Sequence, residues 1–339
     1  MRRVVVTGGG GFLAGALVRE LRRVAPGLEI VAADLKIDPP EGWDSRVRFH
    51  GGVDVTNPET LRGVFRNADA VFHLAGLGSY WRADRDRLYR VNRDGTRNVL
   101  DACAAAGVGR LVHVSSTAAI GFKGDPEDPA DEELTFDWAR ARGKHYMLSK
   151  RDSERALDGA AGMGVSAATA CPASLYGPGD AANMLRLYSA IAAGKIRMVP
   201  PGGNAVVDVR DAARGLVLLA ESGAQDERFI LAGENLTFPR LTEQIGQALG
   251  RPLTPGVLPR WLRRPLGGTL SLLEPLLPRS GMIAADDLDA GFHYRYFSSR
   301  KARERLGWVP QYSFRDSARD AVAFLRGRGL LAPSRGPEA

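Results

Sequence analysis

Thr7-Gly8-Gly9-Gly10-Gly11-Phe12-Leu13-Ala14 is the stretch whose reading decides the fold. Before it stands the apolar run Val4-Val5-Val6. After it Leu13, Ala16, Leu17, Leu21 and Val24 recur at helical spacing. The stretch is therefore the turn between a buried strand and a helix. Gly8, Gly11 and Ala14 form a Gly-x-x-Gly-x-x-Ala series. Gly8 permits the tight turn, Gly11 lets the backbone approach a pyrophosphate, and the small Ala14 lets the helix pack on the sheet. The N–H groups of Phe12 and Leu13 are expected to point at the phosphates from the helix N-terminus.

Reading outward, Glu29–Asp34 is a second strand, and Ala70–Leu74 and Arg110–Val114 are further strands with a helical segment over 86–106 between them. Strands alternating with helices at this spacing predict an α/β fold of Rossmann type, a doubly wound parallel sheet. Continuous apolar runs suit strands buried on both faces. The expected organisation is a dinucleotide-binding domain over 1–175, to which a strand and helix near 205–222 return. A smaller C-terminal substrate lobe over 176–330 and a flexible Pro/Gly-rich tail over 331–339 follow. Asp34 ends the second strand 23 residues after Gly11. A carboxylate there accepts bonds from both adenosine ribose hydroxyls and repels a 2′-phosphate, which favours NAD. Lys36, two residues on, partly offsets that repulsion and leaves NADP open.

Composition sets the outer bounds. The chain has 339 residues, 25% of them charged, and a formal net charge of +7. The excess comes from Arg spread along the chain, usually beside Asp or Glu, as in Arg82-Ala-Asp84-Arg85-Asp86-Arg87. Such a pattern is a solvated surface, and no nucleic-acid partner is expected. Cys103 and Cys171 stand in no metal-like or CxxC spacing, so they read as buried residues of a reducing compartment, and no metal is expected. Neither a signal peptide nor a run of about 18 apolar residues is found, so the expectation is a cytoplasmic protein without stable membrane insertion.

The chemistry is expected at Tyr146-Met-Leu-Ser-Lys150, where Tyr and Lys fall four residues apart on one helix face. A phenol is a poor acid–base group at its ordinary pKa of about 10. A neighbouring ammonium favours the phenolate, so Lys150 is expected to lower the pKa of Tyr146. Ser115-Ser116-Thr117 follows the strand ending at Val114, where ligands of open α/β sheets sit. All three hydroxyls compete for a catalytic place there.

Together these residues resemble the extended short-chain dehydrogenase/reductases, the NAD-dependent epimerase/dehydratase family. The resemblance runs through Thr7–Ala14, Asp54-Val55, His73–Gly76, Val91–Thr96, Val114–Ser116, Tyr146–Lys150, Pro172–Gly179 and Val207–Asp211. It implies a catalytic set of Ser116, Tyr146 and Lys150. It further implies that Asp54 and Val55 contact adenine, that Leu74, Ala75 and Gly76 line the cofactor's path, that Lys150 also binds the nicotinamide ribose, and that Pro172, Ala173 and Ser174 lie near the nicotinamide. Asn92 takes a structural backbone role.

Two branches of the family compete. The branch resembling dihydroflavonol reductases and 3β-hydroxysteroid dehydrogenases is favoured by Ser79–Asp84 after the fourth strand, by Ser116-Thr-Ala-Ala-Ile-Gly121, and by the lack of an Asp-Glu pair after Ser116. The expectation is hydride transfer between NAD(H) and a ketone/secondary-alcohol pair on a small, hydrophobic substrate. The Leu-rich stretch 258–277 is read as capping an apolar pocket or as covering the core. A surface contact with a membrane through Trp261-Leu-Arg-Arg264 and the Leu run is a third option, disfavoured because Gly267, Gly268, Glu274 and Pro275 break any long amphipathic face. The alternatives are a nucleotide-sugar epimerase or dehydratase with tightly bound NAD and, outside enzymes, a dinucleotide-binding regulatory protein. In relatives the helices between 86 and 160 often form a dimer bundle, so the resemblance allows a homodimer.

Overall fold

A computed structural model describes residues 1–180, 184–276 and 284–332. Six parallel strands follow one another through the first half: β1 Arg3–Thr7, β2 Glu29–Ala33, β3 Arg48–His50, β4 Ala70–His73, β5 Arg110–Val114 and β6 Ser166–Pro172. Past these come β7 Ser174–Tyr176, β8 Met198–Val199, β9 Gly203–Asp208 and β10 Glu227–Leu231, then β11 Glu234–Thr237, β12 Gly256–Val257 and β13 Tyr294–Arg295. The main sheet has the order β10-β6-β5-β4-β1-β2-β3. The order reverses between β1 and β4, and the crevice beyond their C-terminal ends is where such a sheet binds ligands.

Helices cover both faces of this sheet. They are α1 Phe12–Val24, α2 Pro58–Leu61, α3 Arg85–Leu88, α4 Gly95–Ala106, α5 His145–Arg155 and α7 Val209–Glu221, while α6 Leu185–Ala192 packs elsewhere. Alternation along β1 sends Val4 and Val6 to one face, with Leu17 of α1 and Leu216 of α7. It sends Val5 to the other, with Val99 and Leu100 of α4. The segment expected as one helix over 86–106 contains a π-helical stretch, Tyr89–Asp94, between α3 and α4. That widened turn carries Asn92.

The second half contributes α8 Phe238–Leu249, α9 Arg263–Leu273, α10 Ala285–Gly291, α11 Arg300–Leu306 and α12 Phe314–Gly327. β9 does not enter the main sheet. It centres a small one, pairing antiparallel with β11 and parallel with β7 and β13. The helix after it, α7, packs on α1, and β10 is the strand that joins the main sheet beside β6. A third apolar cluster, with Tyr188, Ile245, Phe314 and Leu325, binds α6, α8 and α12 around the small sheet.

The Leu-rich stretch neither caps an apolar pocket nor covers the core. Trp261 is 73% exposed, Leu272 80% and Leu276 80%, while α9 turns Arg263 and Ser271 inward to Asp289 and Arg82. Leu277 and most of the expected tail, 333–339, lie outside the described residues. Among the described residues no helix is long and apolar enough to cross a membrane.

Candidate active site

The cradle forms where β1 runs into α1. Gly11 is the N-cap of α1 and has no side chain to offer its first turn, which also lacks acidic residues. The first N–H groups of a helix have no intrahelical acceptor, so those of Phe12, Leu13 and Ala14 are donors waiting for an anion. Gly8 has φ +66°, and a Cβ there would lie 2.7 Å from the backbone nitrogen of Ala75. At Gly9, which the spacing argument passed over, a Cβ would lie 2.6 Å from that of Ala32. At Gly11 it would meet only the Gly8 carbonyl, at 3.1 Å, so the approach from the cleft is open.

Asp34 lies just past β2. Its Oδ2 accepts from Gly10 N at 2.8 Å and its Oδ1 from Lys36 N at 2.9 Å, while the Lys36 side chain is exposed. The carboxylate thus fixes the cradle loop before it meets any ribose. Asp54 Oδ1 accepts from Thr56 N at 2.9 Å, and Val55 is buried against Gly95. Leu74 and Gly76 line the same cleft as Gly8, Gly11, Phe12 and Leu13. Asp34, Lys36, Asp54, Val55 and Ala75 stand outside that lining, along the same C-terminal edge of the sheet.

Helix α5 brings Tyr146 and Lys150 to the cleft, one turn apart. Ser116 caps the short turn Thr117–Ala119 by accepting from Ala118 N at 3.1 Å, and its hydroxyl stands near enough to that of Tyr146 to favour the phenolate. Ser115 and Thr117 are buried, and the Ser115 hydroxyl has no partner. Of the three candidate hydroxyls, Ser116 is thus the one the structure brings to Tyr146. Asn92 Oδ1 accepts from Leu77 N at 2.8 Å, and its Nδ2 donates to Leu77 O and to Ser149 Oγ, both at 3.0 Å. It ties the loop after β4 to α5.

The charge relation expected of Lys150 takes another form. Lys150 is buried in the lining of the cleft, and its Nζ donates to Val114 O at 3.1 Å. Burial pulls this ammonium down to about 8. Burial pushes the Tyr146 hydroxyl up to about 12, and the neighbouring Tyr80, its ring 5.1 Å away, pushes the same way. The influences that oppose this are the nearby Ser116 hydroxyl and the positive charge of Arg295, not that of Lys150. Both cations line the cleft, but the ammonium is committed to a strand carbonyl. Below the sheet edge His73 bonds Thr7 and Thr96, and burial brings it down to about 3, so it is a neutral structural residue.

The cleft has a volume of about 510 Å³, within the usual range for small-molecule sites. Pro172, Ala173 and Ser174 line its floor where β6 passes into β7. Its far wall contains Tyr80, from the Ser79–Asp84 segment, and three residues no sequence motif marked: Asn204, Asp286 and Arg295. They come from four separate elements, and β13, which carries Arg295, is only two residues long. No local periodicity announces so short a strand.

A sequence model described as the NAD dependent epimerase/dehydratase family matches residues 4–232. The chain is 28% identical to 2-alkyl-3-oxoalkanoate reductase of Stenotrophomonas maltophilia, over 94% of this chain and 97% of that protein. It is 27% identical to sterol-4-alpha-carboxylate 3-dehydrogenase, decarboxylating, of Mus musculus, over 91% and 87% of the two chains. Among solved structures, UDP-glucose 4-epimerase of Thermotoga maritima superimposes with a TM-score of 0.76 over 96% of this chain and 99% of that one, at 20% identity. That last likeness is one of fold.

Proposed function

The chain belongs to the NAD-dependent epimerase/dehydratase family, and from that premise we propose that it interconverts a ketone and a secondary alcohol on a small substrate with a hydrophobic body. The observation that carries this reading is that Ser116, Tyr146 and Lys150 line one cleft that begins at the glycine cradle. Leu77, Phe122, Leu175 and Phe297 give that cleft apolar walls. The two relatives described above are named for reduction of an oxoalkanoate and for 3-dehydrogenation of a sterol carboxylate, which supports a ketone–alcohol pair here.

The residues present fit NAD. The open first turn of α1 suits a pyrophosphate, Asp34 suits an unphosphorylated ribose, and Lys150 and Pro172–Ser174 would hold the nicotinamide end. When bound, NAD supplies hydride to the carbonyl carbon or takes it from the carbinol carbon. Tyr146 moves the proton to or from the oxygen. With its hydroxyl pushed up to about 12, Tyr146 is protonated at neutral pH and poised as the acid of the reductive direction. Ser116 hydrogen-bonds the same oxygen and stabilises the charge developing there.

The test follows nicotinamide absorbance of purified protein with hydrophobic ketones and with UDP- and dTDP-sugars. Ketone-dependent NADH consumption is expected, falling by about 10²–10⁴-fold in Tyr146→Phe with NADH binding retained. Conversion of a nucleotide sugar without net change in NADH would replace this reading with the epimerase one.

A further inference from the structure

One charged group in the cleft has no place in the proton and hydride chemistry. Arg295 on β13 is in register with Asn204 on β9, and Ser174 on β7 is in register with Val206, two residues along the same strand. Residues two apart on a strand share a face. Ser174, Asn204 and Arg295 therefore project from one face of the small sheet, and all three line the cleft that holds Ser116 and Tyr146. Asn204 Nδ2 donates to Ser174 Oγ at 2.6 Å. The Arg295 guanidinium has no such partner. Its Nε is buried without a hydrogen bond, and among the described residues no carboxylate pairs with it.

The neighbouring cations differ in this respect. Lys144 pairs with Asp289 at 3.0 Å, Arg82 faces Asp286 at 3.9 Å, and Lys150 is bound to Val114 O. A buried Nε–H left without an acceptor is unfavourable until an anion arrives to take it. The planar guanidinium fork matches a carboxylate, which it can grip with two parallel bonds.

We propose that Arg295 receives a carboxylate carried by the substrate, so that the protein acts on hydroxy and oxo acids with an apolar body in preference to neutral ketones. The inference rests on the ketone–alcohol reading above and adds to it the polar end of the substrate. Leu77, Phe122, Leu175, Met184 and Phe297 surround the space left for the apolar body. Arg295 and Tyr146 line the same cleft, so an anion held by Arg295 would share that space with the reacting oxygen.

The experiment compares a freshly saponified 3-oxo acid bearing a long 2-alkyl chain with its methyl ester. NADH consumption is followed in the wild type, Arg295→Met and Arg295→Lys. Loss of the Arg295 charge alters Tyr146 equally for both substrates, so the acid-to-ester ratio of kcat/KM isolates the carboxylate contact. The wild type is expected to favour the acid by about 10- to 100-fold, the worth of a charge-assisted pair. Arg295→Met should bring the ratio near unity through KM for the acid, and Arg295→Lys should restore part of it. Equal use of acid and ester by the wild type, or an unchanged ratio in Arg295→Met, would overturn the proposal and leave the ketone reading standing. Consumption of NADH with neither compound, by protein that still quenches NADH fluorescence, would bring down the ketone reading and this inference with it. Turnover of a UDP-sugar in place of the acid would assign Arg295 to a diphosphate and overturn the carboxylate.

Discussion

The two sides of the cleft hold their polar groups in opposite ways. On the cradle side the shaping side chains are already bonded, and the backbone N–H groups in the first turn of α1 are what is left for a ligand. Both oxygens of Asp34 accept backbone N–H groups, Asn92 has three partners, and Lys150 is tied to Val114 O. On the far side Asn204 bonds only Ser174 through its amide nitrogen, and the Arg295 guanidinium bonds nothing among the described residues. The first arrangement suits a ligand that is the same at every turnover, met by a site whose geometry is fixed beforehand. The second leaves donors for a variable ligand to satisfy, which is how binding becomes selective.

The sharpest way to break this comparison is Lys150→Met. If the cradle side is rigid and committed, removing its buried ammonium should lower kcat/KM by about 10²–10⁴-fold and yet make the protein more stable. Folding lowers the pKa of Lys150 from 10.5 to about 8. Between those values the unfolded chain binds more protons than the folded one, so stability rises with pH across that window. The penalty of the buried charge is present in full below about pH 8 and fades as pH approaches 10.5. At pH 7 the gain should be about 1–3 kcal/mol, reduced by the orphaned Val114 carbonyl. Urea unfolding at pH 7 and at pH 10 checks it. A variant less stable at both values would show that the Val114 bond outweighs the desolvation.

A smaller effect is expected at Asp34→Ser. The carboxylate charge that repels a 2′-phosphate is removed, while a hydroxyl remains to hold Gly10 N. The ratio of NADPH to NADH affinity should rise by about 10- to 100-fold. Fluorescence titration with each cofactor measures it, and an unchanged ratio would mean that the exposed Lys36 side chain decides the preference.

The same contrast explains what could be read beforehand. The cradle side is written in local sequence: apolar runs for β1, β2, β4 and β5, a glycine cluster between strand and helix, and Tyr146 one helical turn from Lys150. Each of these needs only neighbours along the chain. Arg295, Asn204 and Ser174 meet only because β13, β9 and β7 are in register across 120 residues of chain, and register between short strands leaves no mark in the spacing of either. The π-helical turn at Tyr89–Asp94 was hidden for a related reason, since its apolar pattern differs from an α-helix by a single residue. The expectation for residues 258–277 failed because Leu and Trp there face solvent while polar side chains make the contacts, the inverse of the usual helix pattern.

The smallest effects come from one substitution in the cradle and one in α9, away from the cleft. A Cβ at Gly9 would stand 2.6 Å from that of Ala32 and 2.9 Å from its Cα, both belonging to β2, which is paired on both sides by β1 and β3. Neither can move without shifting a strand, so Gly9→Ala should lose about 1–3 kcal/mol, the usual cost of overpacking. At Gly268, within α9, a Cβ would meet nothing within 4 Å. There Ala only lowers the entropy of the unfolded chain and improves helix propensity, so Gly268→Ala should gain about 0.5–1 kcal/mol. Calorimetric midpoints of the two variants should therefore move in opposite directions from the wild type. If Gly9→Ala were neutral, the cradle would have slack that its contacts deny, and the claim that this side is fixed in advance would fail. If Gly268→Ala were destabilising, the face of α9 that carries Gly268 would be packed against something in solution.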